Sequence, residues 1–203
     1  MSKEDKFFEA LRDFASYAGQ AGSILEETAE GRMDVADGFS RTRELKRKCR
    51  EALGPLTEKM YKAYKDPPLL DAARGTIERI YRMTDVLKDV LGQLDMYEAG
   101  ETPEEYRLMA KLAGASFSEM EKSLAYTSDI SANYMKMEAR CRRIYTYEER
   151  GDECFRKIMR KLYGDNTSAS ELVYWKEIFS HLEEVLDACA GTVPLLQKII
   201  TRY

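Results

Sequence analysis

Histidine is almost absent from this chain, which has one, His181, among 203 residues. Neither a Ser/His/Asp nor a Cys/His arrangement can be assembled around it, and no glycine-rich loop follows a strand pattern. A ferritin-type di-iron centre needs two Glu-x-x-His elements, and the sequence contains none. These absences argue against catalysis, so we expect a protein that is not an enzyme.

Long apolar runs are missing as well. No stretch approaches the roughly 20 residues needed to span a bilayer, and the first six residues lack the apolar segment of a signal peptide. The four cysteines show no CxxC spacing, which favours reduced thiols over disulfides. The net charge of −4 argues against a nucleic-acid partner. Composition therefore predicts a cytoplasmic protein with no transmembrane segment.

Helical signals, in contrast, are abundant. Charged residues make up 33% of the chain and hydrophobic residues 44%, with only five prolines, a composition typical of a highly helical protein. Apolar residues recur at i, i+3, i+4 and i+7, and strand alternation is not seen. Turn and cap residues predict six helices, which are separated near Gly31, Asp66, Gly100, Ser128 and Ser168.

Two of these helix starts carry a capping-box pattern. Residues 102–105 (TPEE) predict Thr102 as the cap and Pro103 as the first helical residue of the fourth helix. Residues 168–171 (SASE) predict that Ser168 caps the sixth helix. The uninterrupted stretch between the two caps predicts a long fifth helix.

The chain also repeats itself. Shifting it by 102 residues superimposes apolar positions without a gap, and such self-similarity indicates a repeated structural unit. We therefore predict an all-α fold of two tandem three-helix bundles, residues 1–100 and 101–203, packed side by side. The apolar residues that match are Leu53, Leu56, Met60 and Tyr61 with Phe155, Ile158, Leu162 and Tyr163, and Ile77, Ile80, Leu91 and Leu94 with Phe179, Leu182, Val193 and Leu196.

Two acidic pairs stand out in the second half. Glu148 and Asp152 are spaced i, i+4, and so are Glu183 and Asp187, which places each pair on one helix face. Turn formers at 166–168 (NTS) lie midway between the pairs. If the chain folds back there, Glu148 lies level with Asp187 and Asp152 with Glu183, so four carboxylates converge.

Four unpaired carboxylates at close range are unfavourable without a cation. All-oxygen ligation suits hard cations such as Mg²⁺, Mn²⁺, Ca²⁺ or iron better than structural zinc. The pattern therefore predicts one or two divalent or trivalent ions, with Glu149, Glu177 and Glu184 as further ligands or supporting residues. The alternative is a pair of solvated helix faces, which a chain with 36 acidic residues produces by chance.

Cys154 and His181 also lie level on this hairpin. Each is two residues from a carboxylate of the cluster, which is about 200° around a helix. We expect both side chains on other faces, in core or supporting positions.

The first half does not repeat the acidic chemistry. The positions equivalent to the four carboxylates are Lys46, Arg50, Tyr81 and Asp85. We predict that this half binds no metal and that Lys46 or Arg50 contacts Asp85 or stacks on Tyr81 instead.

A basic run on the second helix allows two interpretations. It forms a solvated face, or it contacts acidic protein loops, phosphate or anionic lipid headgroups; peripheral membrane association stays open on the second interpretation. The run consists of Arg41, Arg43, Lys46, Arg47, Lys48 and Arg50.

The chain resembles the PhoU-like proteins, in particular the branch of Pit accessory proteins or phosphate transport regulators. The resemblance is carried by residues 148–153 (EERGDE), 174–179 (YWKEIF) and 182–187 (LEEVLD), with 5–8 (DKFF) at the N-terminus. It implies a non-enzymatic regulator that works beside a phosphate permease. It also implies E/D-x-x-x-D metal motifs in each half, commonly for iron or zinc.

By position, the resemblance assigns Glu148, Asp152, Glu183 and Asp187 as ligands and implies that the first site is lost. A metal-independent helical protein-interaction module is the alternative function. Homo-oligomerisation is left open.

Overall fold

The computed structural model describes residues 2–97, 102–164 and 167–201. No described residue lies in a strand, and the predicted all-α fold of six helices is confirmed. The fifth helix is the longest, at 35 residues. The α-helices in chain order are α1 (Lys3–Ala29), α2 (Val35–Ala63), α3 (Pro67–Met96), α4 (Glu104–Ala125), α5 (Ile130–Gly164) and α6 (Ala169–Ile200), with a 3₁₀ turn at Tyr126–Ser128 between α4 and α5.

Most helix starts follow from local chemistry. Asp34, Asp66 and Ser168 cap α2, α3 and α6, and each side chain accepts a hydrogen bond from a first-turn backbone N–H. Beyond α1 the chain turns at Gly31, whose φ of 71° favours glycine. The hydrogen bond that Ser168 accepts at the start of α6 confirms the predicted Ser168 cap. The predicted end of α3 at Gly100 and part of the 166–168 turn lie outside the described residues.

The capping box predicted for α4 is wrong. Pro103, not Thr102, is the N-cap residue, and no side chain caps the helix. Pro103 has the extended ψ of 144° that an N-cap needs, so the first helical residue is Glu104. Glu104 and Glu105 place two negative charges in the first turn instead, where they complement the helix dipole.

The helices pack as two triplets. Helices α1, α2 and α3 contact one another, as do α4, α5 and α6, and the triplets join where α1 meets α4 and α3 meets α6. One hydrophobic core runs through both triplets. The division predicted at residues 100 and 101 falls in the stretch 98–101, outside the described residues.

The 102-residue shift is visible in helix bounds and in burial. It carries Pro67, the first residue of α3, onto Ala169, the first residue of α6. The matched pair Leu56 and Ile158 is buried, whereas Tyr61 and Tyr163 are both exposed. The repeat predicted from apolar register thus reappears as a repeat of burial; superposition of the two halves stays a prediction.

Equivalent residues also meet between the halves. Arg82 Nε donates to Glu184 Oε1 at 2.7 Å, and a Cβ on Gly19 would collide with the Glu121 carboxylate. Each pair is separated by 102 residues. Contact between equivalent positions is what an approximate two-fold axis between the triplets requires.

Candidate metal centre

The acidic residues are positioned by a close crossing of α5 and α6. Gly151 is buried, and a Cβ there would collide with Leu186 Cδ1. Gly151 lies directly before Asp152, and Leu186 directly before Asp187, so the crossing brings the two aspartates together. Sequence reasoning missed this role of Gly151, although a glycine inside a long helical pattern is a signal of close approach.

Three of the four predicted carboxylates form one cluster. Glu148, Asp152 and Asp187 each offer an oxygen, and these oxygens all lie within 4.8 Å of one another. Among the described residues, no other group of three or more His, Cys, Asp or Glu side chains meets this distance. Glu183, the fourth predicted ligand, is half-buried nearby but is not a member of the group.

The negative charge of the carboxylates is only partly compensated. Burial raises the pKa of Glu148, and the negative charges of Asp152 and Asp187 raise it further. Burial and Asp152 likewise raise the pKa of Asp187. Burial and the charges of Asp187 and Asp152 raise the pKa of Glu183. Glu183 therefore interacts electrostatically with the cluster although it is not a member of it. Each shift has the direction expected of acids that lack a counter-ion.

One internal cation faces the cluster. Arg156 Nη1 lies 3.0 Å from Asp152 Oδ2, one turn along α5. The positive charge of Arg156 acts to lower the pKa values of Glu148 and Glu183, but burial and the neighbouring carboxylates outweigh it. Arg156 is 58% exposed, so water competes for it. Sequence reasoning missed this residue, although the i, i+4 spacing from Asp152 signals the pair.

The three proposed supporting acids do not complete the group. Glu184 pairs with Arg82 of α3, although its charge contributes to the raised pKa of Asp187. Glu149 is exposed, and it acts on Glu148 through charge. Glu177 lines a separate cleft between α3 and α6.

Cys154 and His181 lie outside the cluster, as expected. The buried Cys154 thiol faces α4, where Sγ donates to the Glu105 carbonyl oxygen at 3.7 Å. His181 lines the cleft between α3 and α6.

In the first half, a lysine side chain occupies the position equivalent to the carboxylate cluster. Lys46 Nζ lies 3.2 Å from Asp85 Oδ1 and 3.2 Å from the centroid of the Tyr81 ring, and its side chain is only 7% exposed. A hydrogen bond from Arg50 lowers the pKa of Tyr81. The predicted ion pair and cation–π contact are confirmed; that this half binds no metal stays a prediction.

The architecture defines a helical bundle with a carboxylate cluster on one helix pair. No family model matches the chain. It is similar to the UPF0111 protein YkaA of Bacillus subtilis (strain 168), with 28% identity over 131 residues, which cover 62% of this chain and 63% of that protein. Among the described helices, none combines the length and the apolar character that crossing a bilayer requires.

Proposed function

We propose that this chain is a PhoU-like, non-enzymatic accessory or regulator of inorganic phosphate transport, with a metal site between α5 and α6. The carboxylate cluster of Glu148, Asp152 and Asp187 is the observation that carries the metal site. The transport role is supported by the family resemblance of the α5 and α6 motifs, and the PhoU-like relationship by the similarity to a UPF0111 protein. A phosphate permease is the proposed partner, and the cytoplasm the proposed location.

The residues fit a hard cation. Three carboxylates offer only oxygen, the ligand that magnesium, manganese and iron accept, and zinc also binds carboxylates. Glu148, Asp152 and Asp187 would hold the ion, and the carboxylate of Glu183 would add negative charge beside it. The ion would supply positive charge between α5 and α6, where the acids now repel one another.

Metal binding would therefore act on the helix pair rather than on a substrate. With a cation between them, Asp152 of α5 and Asp187 of α6 would repel one another less and would hold the two helices together. Arg156, already 58% exposed, would no longer be needed as the counter-ion of Asp152. A change of charge and stiffness on one helix pair gives the partner a surface that depends on metal.

The metal site is tested by elemental analysis and thermal melts. We expect purified protein to contain metal, and the melting temperature to fall in chelator and recover with iron, manganese, zinc or magnesium. A cation at 100 times its Kd stabilises the fold by about 2.7 kcal/mol. Asp152→Asn with Asp187→Asn should abolish the response, whereas the matched control Asp85→Asn should retain it. A metal-free wild type whose melt ignores both additions refutes the site.

The transport role needs a cellular experiment. Cells that lack the gene should show altered uptake of radiolabelled phosphate, and the wild-type chain should restore it. The Asp152→Asn, Asp187→Asn variant should fail to restore uptake although it accumulates to the wild-type level. Unchanged uptake in the deletion strain refutes the transport role and leaves the metal site to be judged by the melts.

One observation favours a second candidate, a metal-independent helical interaction module. Asp152 already has a counter-ion in Arg156, and Asp187 is exposed to water, so solvent and one arginine offset part of the repulsion. On this reading, Asp152→Asn leaves phosphate uptake and the melt in chelator unchanged. Substitution of exposed cations on α2, such as Arg41→Glu, disrupts partner capture instead.

A further inference from the structure

A second cleft, separate from the carboxylate cluster, lies along the junction of α3 and α6. Its volume is about 530 Å³, within the range of small-molecule sites. Phe39 of α2 and Met96 of α3 give it apolar walls, and Gln93, Glu177 and His181 give it polar ones.

The packing of the two helices explains why these polar groups share a cleft. Gly75 lies against Leu195, and Met83 Sδ lies 3.3 Å from Cys189 Sγ, so α3 and α6 run antiparallel. Both helices rise by ~1.5 Å per residue, so a residue of α3 and a residue of α6 lie at the same height when their numbers sum to about 270. Gln93 is level with Glu177, so an amide and a carboxylate face each other across the cleft.

The polar atoms of the cleft lack hydrogen-bond donors. Gln93 Oε1 and His181 Nδ1 are both buried and have no hydrogen-bond partner. Glu177, on the same wall as His181, forms no hydrogen bond or ion pair with any residue that the structure describes. A buried polar atom without a partner destabilises the fold, and a ligand with N–H groups would supply the missing partner.

The lysine that lines this cleft is already engaged. Lys88 Nζ lies 3.2 Å from Asp85 Oδ1 and 2.9 Å from Asp89 Oδ1. Its charge is thus shared between two aspartates of α3, and Glu177 remains without a counter-ion among the described residues. The cleft therefore combines room for a ligand, two acceptors without partners, and a carboxylate that no described cation balances.

We propose that this cleft binds a small organic cation, a primary ammonium group carried on an apolar chain. The ammonium group donates to Gln93 Oε1, to the Glu177 carboxylate and to His181 Nδ1 in the tautomer with its proton on Nε2. The apolar chain packs on Phe39 and Met96. Three N–H donors on one nitrogen match three acceptors that have no donor.

Other ligand classes fit less well. An anion would meet the unpaired charge of Glu177. A metal ion would need convergent ligand atoms, but Asp89, Glu177 and His181 do not bring theirs within 4.8 Å of one another. An ammonium group uses Gln93 Oε1 in place of Asp89, and its chain also packs on the apolar walls.

The proposal can be tested by NMR, because the chain has a single histidine and its imidazole ring signals are assigned without ambiguity. Pentylamine is titrated into the full chain while the His181 ring signals are followed by NMR. Pentanol and pentanoate serve as the neutral and anionic counterparts, and Zn²⁺ serves as the metal probe. We expect pentylamine to shift the His181 signals saturably and pentanol and pentanoate to bind at least about tenfold more weakly.

Variants assign the polar contacts. Glu177→Gln should weaken pentylamine binding about tenfold or more, and Gln93→Leu should weaken it as well. Glu171→Gln, an exposed acid of the same helix outside this cleft, should leave binding unchanged. Because Glu177 is exposed, its replacement should leave the circular dichroism melt unchanged, so a loss of binding reports on the ligand contact.

Three results would overturn the proposal. The first is equal binding of pentylamine and pentanol that Glu177→Gln does not affect, which identifies an unselective apolar cleft. The second is Zn²⁺ binding at His181 without amine binding. The third is no shift with any probe. Asp152→Asn with Asp187→Asn should leave amine binding intact, so failure of the metal site and failure of this site are separate results.

Discussion

Asp85 and Asp187 occupy equivalent positions in the two halves, 102 residues apart, yet their acidities move in opposite directions. Burial alone would raise the pKa of Asp85, but hydrogen bonds and charge from Lys46 and Lys88 outweigh it and lower the pKa. Burial also raises the pKa of Asp187, and there the charge of Asp152 adds to it. The same helix arrangement thus carries a buried lysine paired with Asp85 in the first half and a group of mutually repelling carboxylates in the second.

The contact between α2 and α3 in the first half can be compared with the contact between α5 and α6 in the second. In the second half Gly151 lies against Leu186. Their equivalents are Cys49 and Thr84, and Cys49 Sγ lies 3.8 Å from Thr84 Oγ1. Cys49 is larger than Gly151, but Thr84 is smaller than Leu186, so the two helices pack against each other in both halves. The charges around the two contacts differ.

The largest expected effect comes from converting the first half toward the second. Lys46→Glu places a carboxylate in a buried position beside Asp85 and should destabilise the fold by about 3–5 kcal/mol, because a buried ion pair is broken and its negative partner remains. Part of this loss should return on addition of Mn²⁺. Urea unfolding with and without Mn²⁺ measures both effects. Lys48→Glu, exposed on the same helix, is the control, and an equal loss there would contradict the comparison.

A smaller effect is expected from disturbing the crossing in the second half. Gly151→Ala forces its new methyl group against Leu186 and should cost about 1–3 kcal/mol. It should also weaken metal binding, because the aspartates move apart. Gly54→Ala is the matched control, since a Cβ there meets nothing within 4 Å and should be neutral or slightly stabilising. Unfolding and metal titration measure both variants; if Gly151→Ala behaves like Gly54→Ala, the crossing is looser than described.

Neutralising the two equivalent aspartates should change stability with opposite signs in metal-free buffer. Asp85→Asn removes the partner of buried Lys46 and should destabilise the fold by about 1 kcal/mol or more. Asp187→Asn relieves repulsion by Asp152 and should stabilise it slightly while metal binding is lost. Urea unfolding near neutral pH in chelator decides the point. Two changes of the same sign would show that the halves are not electrostatic opposites.

The same two aspartates should differ in their pH dependence. The lowered pKa of Asp85 means that its contribution is present above the ordinary value of 3.8 and is lost as pH falls through the lower folded value. The raised pKa of Asp187 means that its destabilisation is present above the raised folded value and is relieved as pH falls through it. Unfolding free energies of wild type and each Asn variant, measured in chelator from neutral pH to about pH 3, should therefore converge at higher pH for Asp187→Asn than for Asp85→Asn. The reverse order would exclude the assigned shifts.

The smallest effect is expected at the contact between the halves. Arg82 and Glu184 are 56% and 38% exposed, so the pair should contribute about 0–1 kcal/mol. A double-mutant cycle with Arg82→Gln and Glu184→Gln measures this coupling, which should shrink in high salt. A coupling that high salt leaves unchanged would mean that the pair acts through packing rather than charge.

Local signals in the sequence predicted much of this protein. Helical periodicity, the break at Asp66, the cap at Ser168 and the apolar register predicted six helices and their repeat, because each of these signals can be read from residues close together in the sequence. The i, i+4 spacing of the acids and the predicted turn at 166–168 placed four carboxylates together, Glu148, Asp152, Glu183 and Asp187, of which all but Glu183 form the cluster. The 102-residue shift identified Lys46 and Asp85 as the equivalent residues of the first half. The Thr102 cap failed because proline satisfied the same backbone geometry one residue later.

Tertiary structure alone decided the remainder. The separation of Glu183 from the cluster depends on side-chain geometry, and the cleft of Gln93, Glu177 and His181 depends on how α3 packs against α6. The sign of each carboxyl pKa shift was likewise set across helices, by Lys46 and Lys88 at Asp85 and by Asp152 at Asp187. Periodicity determines which side of a helix a residue occupies, whereas the charge interactions of that residue depend on its distance from the side chains of the neighbouring helix.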